Sequence, residues 1–137
     1  MHDADRTALE IDRPDVVAEV RAAFVAYEDA LVAHDLDRLD TAFWADPRVI
    51  RYGVADAQRG PADVAEWRRD TGPVARDRVL HDTQITAFGN DVAIVWTHFT
   101  DALGGTGRQS QVWARVDGEW RVVAAHVSRV DTESTSD

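Results

Sequence analysis

Cysteine and lysine are both absent from this 137-residue chain. Without cysteine there can be no disulfide, no thiolate nucleophile and no cysteine-liganded zinc. Without lysine, Schiff-base chemistry and a lysine general base are excluded, because all 15 basic residues are arginines. Long apolar runs are missing too, and nothing approaches the roughly 20 residues of a membrane-spanning helix. Positive charge is scarce: 25 acidic residues against 15 basic ones give a net charge of −10. That balance argues against nucleic acid, whose phosphates demand a basic face, and against an anionic membrane surface. The first dozen residues alternate charged and small side chains, with no apolar signal region. The expectation is a cytoplasmic protein.

What is present suits one globular domain. Hydrophobic residues make up 45% and charged residues 29%, and a chain of this length can bury a core. Residues 1–12 and the tail 131–137 read as disordered polar ends, which leaves a single domain over 13–130.

Pro14 suits the first turn of a helix. After it Val17, Val20, Phe24, Tyr27 and Leu31 recur at spacings of three and four, a single buried stripe. Asp35 opens a shorter helix over Leu36 to Trp44, which Asp46-Pro47 ends. Two short extended segments follow, Val49 to Gly53 and Asp56 to Gly60. Pro61 starts a third helix that stops before Gly72-Pro73. The acidic group Asp35, Asp37 and Asp40 stands at a helix start, where it favours the helix dipole.

The second half changes period. Val79 to Phe88, Val92 to Asp101, Arg108 to Val116 and Glu119 to Val130 are rich in β-branched and aromatic residues. Gly89-Asn90 and Asp117-Gly118 read as hairpin turns. Helices first and a strand meander last give an α+β order. The expected fold is a cone-shaped barrel, with three N-terminal helices packed in a curved antiparallel sheet.

The last hairpin separates the sheet faces. A two-residue turn at Asp117-Gly118 sets Val116 opposite Glu119, Trp113 opposite Val122, Gln111 opposite Ala124 and Gln109 opposite His126. Strand alternation then puts Gln109, Gln111 and His126 on one face with Trp113 and Trp120. This face should line a polar pocket. The other face, with Val112, Val123, Ala125 and Val127, should form a homodimer interface.

Two residues stand out within that frame. Tyr27 lies on the core stripe, so its hydroxyl must find a partner inside the domain. Arg51 lies in step with Val49 on a short strand, and an inward arginine needs an anion. Metal motifs are weak: the histidines are scattered, and His98 with Asp101 is the nearest approach to a pair. The glycines at 104, 105 and 107 precede a strand and fail the context of a phosphate loop.

The segments AFVAYEDAL, RLDTAFWADPRVIRYG, GRQSQVWARV and GEWRVVAAHVS resemble the AtzH-like family, relatives of an oxalurate-catabolism protein within the nuclear transport factor 2-like superfamily. The resemblance runs in order from Pro14 to Ser128. It implies the cone-shaped fold, a dimer or larger assembly, and a cofactor-independent decarboxylating amidohydrolase. Its substrate would be an N-carboxylated urea or a similar small carboxylated compound of nitrogen catabolism, with an amidase as functional neighbour. By motif, the implied catalytic residues fall on Tyr27 and Arg51. The binding set expected around them is Gln109, Gln111, His126, Arg68 and Trp44. The sequence departs from the family after Gly53, where Asp56 stands for a usual glutamate and Arg59 for a tyrosine, and at Thr71, where the family carries an arginine. These departures leave the substrate open. Two other readings of the same fold remain, a non-catalytic binding or oligomerisation module and an isomerase or dehydratase.

Overall fold

A computed structural model describes residues 8–130. The expected disorder of residues 1–7 and 131–137 lies outside the described residues. Residues 10–12, expected to be loose, are tied down. Ile11 bridges Phe88, and the Gly89 N–H donates to the Glu10 carbonyl at 2.7 Å. The Asp12 N–H donates to the Ala87 carbonyl at 2.9 Å, while the Asp12 carboxylate accepts from the Ala87 N–H at 2.8 Å. The open edge of the last strand in the sheet offers unpaired backbone groups, and this segment satisfies them.

Pro14 occupies the first turn of α1 (Pro14–Ala33), whose buried residues are Val16, Val20, Phe24, Tyr27, Glu28 and Ala30. The helix ends at His34, which adopts the left-handed conformation (φ 54°) and donates its N–H to carbonyls of the last turn. Asp35 caps α2 (Leu36–Ala42), its side chain accepting from the Arg38 N–H at 3.3 Å. Two three-residue strands, β1 (Ile50–Tyr52) and β2 (Ala57–Arg59), precede α3 (Pro61–Thr71). The meander comprises β3 (Val79–Phe88), β4 (Val92–Thr100), β5 (Thr106–Val116) and β6 (Glu119–Val130).

The six strands form one sheet in the order β2-β1-β6-β5-β4-β3. Every pairing is antiparallel except β1 with β6, which is parallel. The helices fill the concave side, and the core joins Val20, Phe24 and Tyr27 of α1 to Leu39, Val95, Trp113 and Val122.

The hairpin register is as expected only at its closed end, where Val116 pairs with Glu119 and Trp113 with Val122. Beyond that point the register shifts by one residue, so Val112 pairs with Ala124, Gln111 with Ala125 and Gln109 with Val127. Val123 is the extra residue of a β-bulge, which bends the strand and reverses the facing of everything after it. His126 is therefore paired with Ser110 and exposed on the convex face, edge-on to Tyr52 at 5.8 Å. It does not face the cavity. Ala125 and Val127, expected on the outer face, line the interior instead. The convex face carries Val92, Trp96, Val112, Ala124 and Tyr52; Val92, Trp96 and Tyr52 are each about 40% exposed.

A close approach between β4 and β5 holds the wide end of the cone. Gly107 pairs with Phe99, and a Cβ at Gly107 would fall within the Phe99 ring. Gly107→Ala should therefore cost about 1–3 kcal/mol by overpacking. Urea unfolding will read this as a lower midpoint at unchanged slope; an unchanged midpoint would mean that the ring has room to move.

Candidate functional site

A cavity of about 260 Å³ opens at the wide end of the cone, between α1, α3, the concave sheet and the loops at 72–75 and 101–103. Its volume matches about nine waters of liquid. A larger trough of about 890 Å³ runs along the outer side of α1, but its wall is chiefly alanine, valine and solvated charge. The small cavity is the candidate site because polar groups converge there.

Tyr27 enters from α1 and is 8% exposed. Its ring is held by Phe43 (6.1 Å between centroids) and, edge-on, by Trp113 at 6.2 Å. Burial pushes the phenol above its ordinary 10.0. The guanidiniums of Arg68 and Arg51 pull the other way, but burial wins. Tyr27 is thus a neutral phenol at physiological pH, able to donate a proton.

Arg51, on β1, is aimed inward as its step with Val49 required. Its Nη1 donates to the Asp56 carboxylate at 2.9 Å and to Gln58 Oε1 at 2.8 Å. Gln58 is the residue directly across the β1–β2 ladder. The guanidinium lies over the Trp67 ring, 3.4 Å from its centroid. Gly53 permits this packing, because a Cβ there would strike both the Asp56 carboxylate and the Arg51 guanidinium.

Arg68, on α3, is 2% exposed. It rests against Phe43 and Trp67 at 5.0 and 5.7 Å. Its Nε comes within 3.5 Å of Asp40, yet neither Nε nor Nη2 has a hydrogen-bond partner. Asp40 is shared with the exposed Arg69, which reaches it at 3.1 Å.

The two glutamines stand on the concave face as expected, with different partners. Gln109 Nε2 donates to Glu28 and its Oε1 accepts from Arg78, at 3.1 and 2.9 Å. These bonds belong to a buried network in which Arg78 Nε also meets Glu28 at 3.1 Å. Gln111 Oε1 accepts from the Trp113 indole N–H at 3.0 Å, which leaves its NH₂ group to donate.

Trp44 does not line the cavity. Its N–H is bonded to the Val122 carbonyl and Arg48 stacks on its ring at 4.9 Å, while Phe43, one residue earlier, takes the inward position. The α2 helix ends at Ala42, so the helical spacing that would have turned Trp44 inward stops short.

Sequence reasoning missed Glu28, Arg78, Phe99 and Arg129. Asp101, weighed above beside His98, instead pairs with Arg129 at 2.7 Å, and that contact holds its carboxyl below the usual range. His98 lies on the convex side. Phe99 separates Arg78 and Arg129, with their guanidiniums 4.1 and 5.2 Å from its centroid. The one available signal was an acidic residue beside Tyr27 on a core helix. Among the described residues no group of three or more His, Asp or Glu could hold a metal ion, and no helix is long and apolar enough to cross a membrane.

Comparison with known proteins places this site in context. The AtzH-like family model matches residues 9–133. A cystatin-like fold protein from Burkholderia xenovorans is 44% identical, over 91% of this chain and 99% of that one, with a TM-score of 0.88. A protein of unknown function from Pectobacterium atrosepticum is 38% identical, over 88% and 95%, with a TM-score of 0.84. A nuclear transport factor 2-like superfamily protein from Salmonella enterica shares the fold at 24% identity and a TM-score of 0.68, over 90% and 97%. No curated protein matches the chain.

The buried phenol makes stability depend on pH in one direction. Because the folded state holds the Tyr27 proton more tightly than the unfolded state, this contribution is complete below about pH 10 and falls as pH rises further. Tyr27→Phe should flatten that alkaline decline in urea titrations, whereas an equal slope in both proteins would place the ionisation elsewhere.

Proposed function

The chain belongs to the AtzH-like family, and on that premise we propose that its cavity binds a small N-carboxylated urea or oxalurate-like acid and cleaves its C–N bond without a cofactor. The observation that carries this reading is the neighbourhood of a neutral buried phenol, Tyr27, and two guanidiniums, Arg68 and Arg51, that line the same cavity and act on it. A planar guanidinium takes a carboxylate in two parallel hydrogen bonds.

In the decarboxylating step the bond between the urea nitrogen and the carboxyl carbon breaks, and its electron pair stays on nitrogen. The Tyr27 phenol delivers the proton that nitrogen needs, and carbon dioxide leaves. Negative charge thereby moves from the substrate carboxylate to the phenolate. Arg68 and Arg51, which both act on Tyr27, offset that charge before and after the step. Water then returns the proton to Tyr27. Arg51 is the fixed electrostatic element, since Asp56, Gln58 and Trp67 hold it in place. The released urea-type product would pass to an amidase in cytoplasmic nitrogen catabolism.

Tyr27→Phe keeps ring and packing and removes the proton. It should retain binding of a small carboxylate while losing roughly 10²–10⁴ in turnover, as general acids contribute. Turnover is measured as carbon dioxide release from N-carboxylated ureas. Unchanged turnover would remove Tyr27 from the chemistry, and binding without turnover in the wild-type protein would favour a non-catalytic module.

A homodimer is proposed through the convex face, which keeps Val112 of the expected interface but not Ala125 and Val127, since these line the cavity. Trp96, with 42% of its surface open, is its central candidate. Trp96→Arg should yield monomers in sedimentation at micromolar concentration; a wild-type monomer under the same conditions would dismiss the interface.

A further inference from the structure

Helix α1 buries one apolar side in the core and turns a second one outward. Pro14, Ala18, Arg21, Val25, Asp29 and Val32 recur at spacings of four, three, four, four and three, which aligns them in one stripe along the helix. All six are exposed, Val25 to 50% and Val32 to 41%. A helix face turned to water is ordinarily polar, so a stripe with four apolar residues of six calls for a cover. Five of the six border the trough of about 890 Å³, where Ala18 and Ala22 keep the wall low enough for another helix to approach. Arg38, on the same trough, is held by the Ala26 carbonyl at 3.2 Å.

The stripe is symmetric about Val25. Arg21 stands four residues before it and Asp29 four after, while Ala18 stands seven before and Val32 seven after. Neither Arg21 nor Asp29 has an ion-pair partner among the described residues. A second copy of α1, laid antiparallel on a two-fold axis through Val25, sets Arg21 of each copy against Asp29 of the other. It also sets Ala18 of each against Val32 of the other. Four residues are about 6 Å of helix, so both charge pairs fall level across the contact. A parallel pair would set Arg21 against Arg21. Residues 1–7 and 131–137 hold only Met1 and Ala4 as apolar residues and offer no comparable surface.

We propose that the outer face of α1 is a self-complementary contact through which two copies of this chain pair, antiparallel about Val25. The contact is independent of the cavity chemistry and of the convex face, since α1 packs on the concave side of the sheet. One helix face is smaller than a standard interface. Pairing is therefore expected on the order of hundreds of micromolar, above the concentration at which Trp96→Arg is scored.

The absence of cysteine gives a direct test. Val25→Cys puts a single thiol on the two-fold axis, where two Cβ atoms come within disulfide reach. At roughly 300 µM under mild oxidation, it should link into dimers at least about tenfold faster than Val54→Cys. Val54 is a comparably exposed valine between β1 and β2. Denaturing gels without reductant read this contact alone, whatever pairs elsewhere. In the Val25→Cys protein, Arg21→Asp and Asp29→Arg should each slow linkage roughly tenfold, since each sets like charges face to face. Both positions are exposed, so folding is not at stake. Mixing the two reversed proteins should restore linkage as a heterodimer, because all the facing charges are then opposite. The same mixture carrying Val54→Cys should stay slow, which separates facing charges from general attraction.

Equal linkage of Val25→Cys and Val54→Cys would overturn the inference and leave the face to a different partner. Reversals without effect, or a mixture no faster than its parts, would overturn it as well.

Discussion

Four guanidiniums, from Arg51, Arg68, Arg78 and Arg129, converge on one small cavity, and the rest of the site depends on how their charge is matched. Placing one such group away from water costs several kcal/mol unless a partner comes with it. The fold therefore brings a carboxylate to each: Glu28 from α1, Asp40 from α2 and Asp101 from the end of β4 across long stretches of chain, and Asp56 from the adjoining β1–β2 turn. Aromatic rings occupy the gaps, with Trp67 beneath Arg51 and Phe99 between Arg78 and Arg129. Both rings exclude water and present a face that attracts cations. Glycine is needed at Gly53 and Gly107 for the same reason, since a side chain there would displace a guanidinium, its carboxylate or the ring between two of them.

Within this charged wall Tyr27 is a buried phenol that keeps its proton near neutral pH. Its neighbours lower the cost of a phenolate, while its burial keeps the proton on in the resting state. In the proposed reaction this combination suits a proton donor, because the charge would appear only as the bond breaks. The absence of lysine removes any competing amine base or nucleophile from the cavity.

The bulge at Val123 decides what the cavity is made of. It lies between the Trp113–Val122 pair, which belongs to the packed end of the cone, and the Val112–Ala124 pair, where β1 joins β6. The extra residue curves the strand around the helices, turns Ala125 and Val127 inward and sends His126 to the outside. A histidine in the pocket would have brought a group titrating near neutrality beside the phenol. Ala125 and Val127 hold the inward positions instead, and neither carries a titratable group.

The helices, the strand meander and the inward facing of Tyr27 and Arg51 were determined by the sequence alone. The three-four spacing of Val20, Phe24, Tyr27 and Leu31, the proline starts and the hairpin turns are local signals, and they act over a few residues. Segments shared with the AtzH-like family made the cone legible before its strands were paired. Only the tertiary structure decided the register beyond Val122, the displacement of Trp44 by Phe43, and the pairing of Glu28 with Arg78 across 50 residues of chain. A bulge inserts one residue without a glycine or proline to announce it. Ion pairs between distant residues leave no periodic trace either, because charge compensation is set by proximity in space, and many acids in so acidic a chain could have served each arginine.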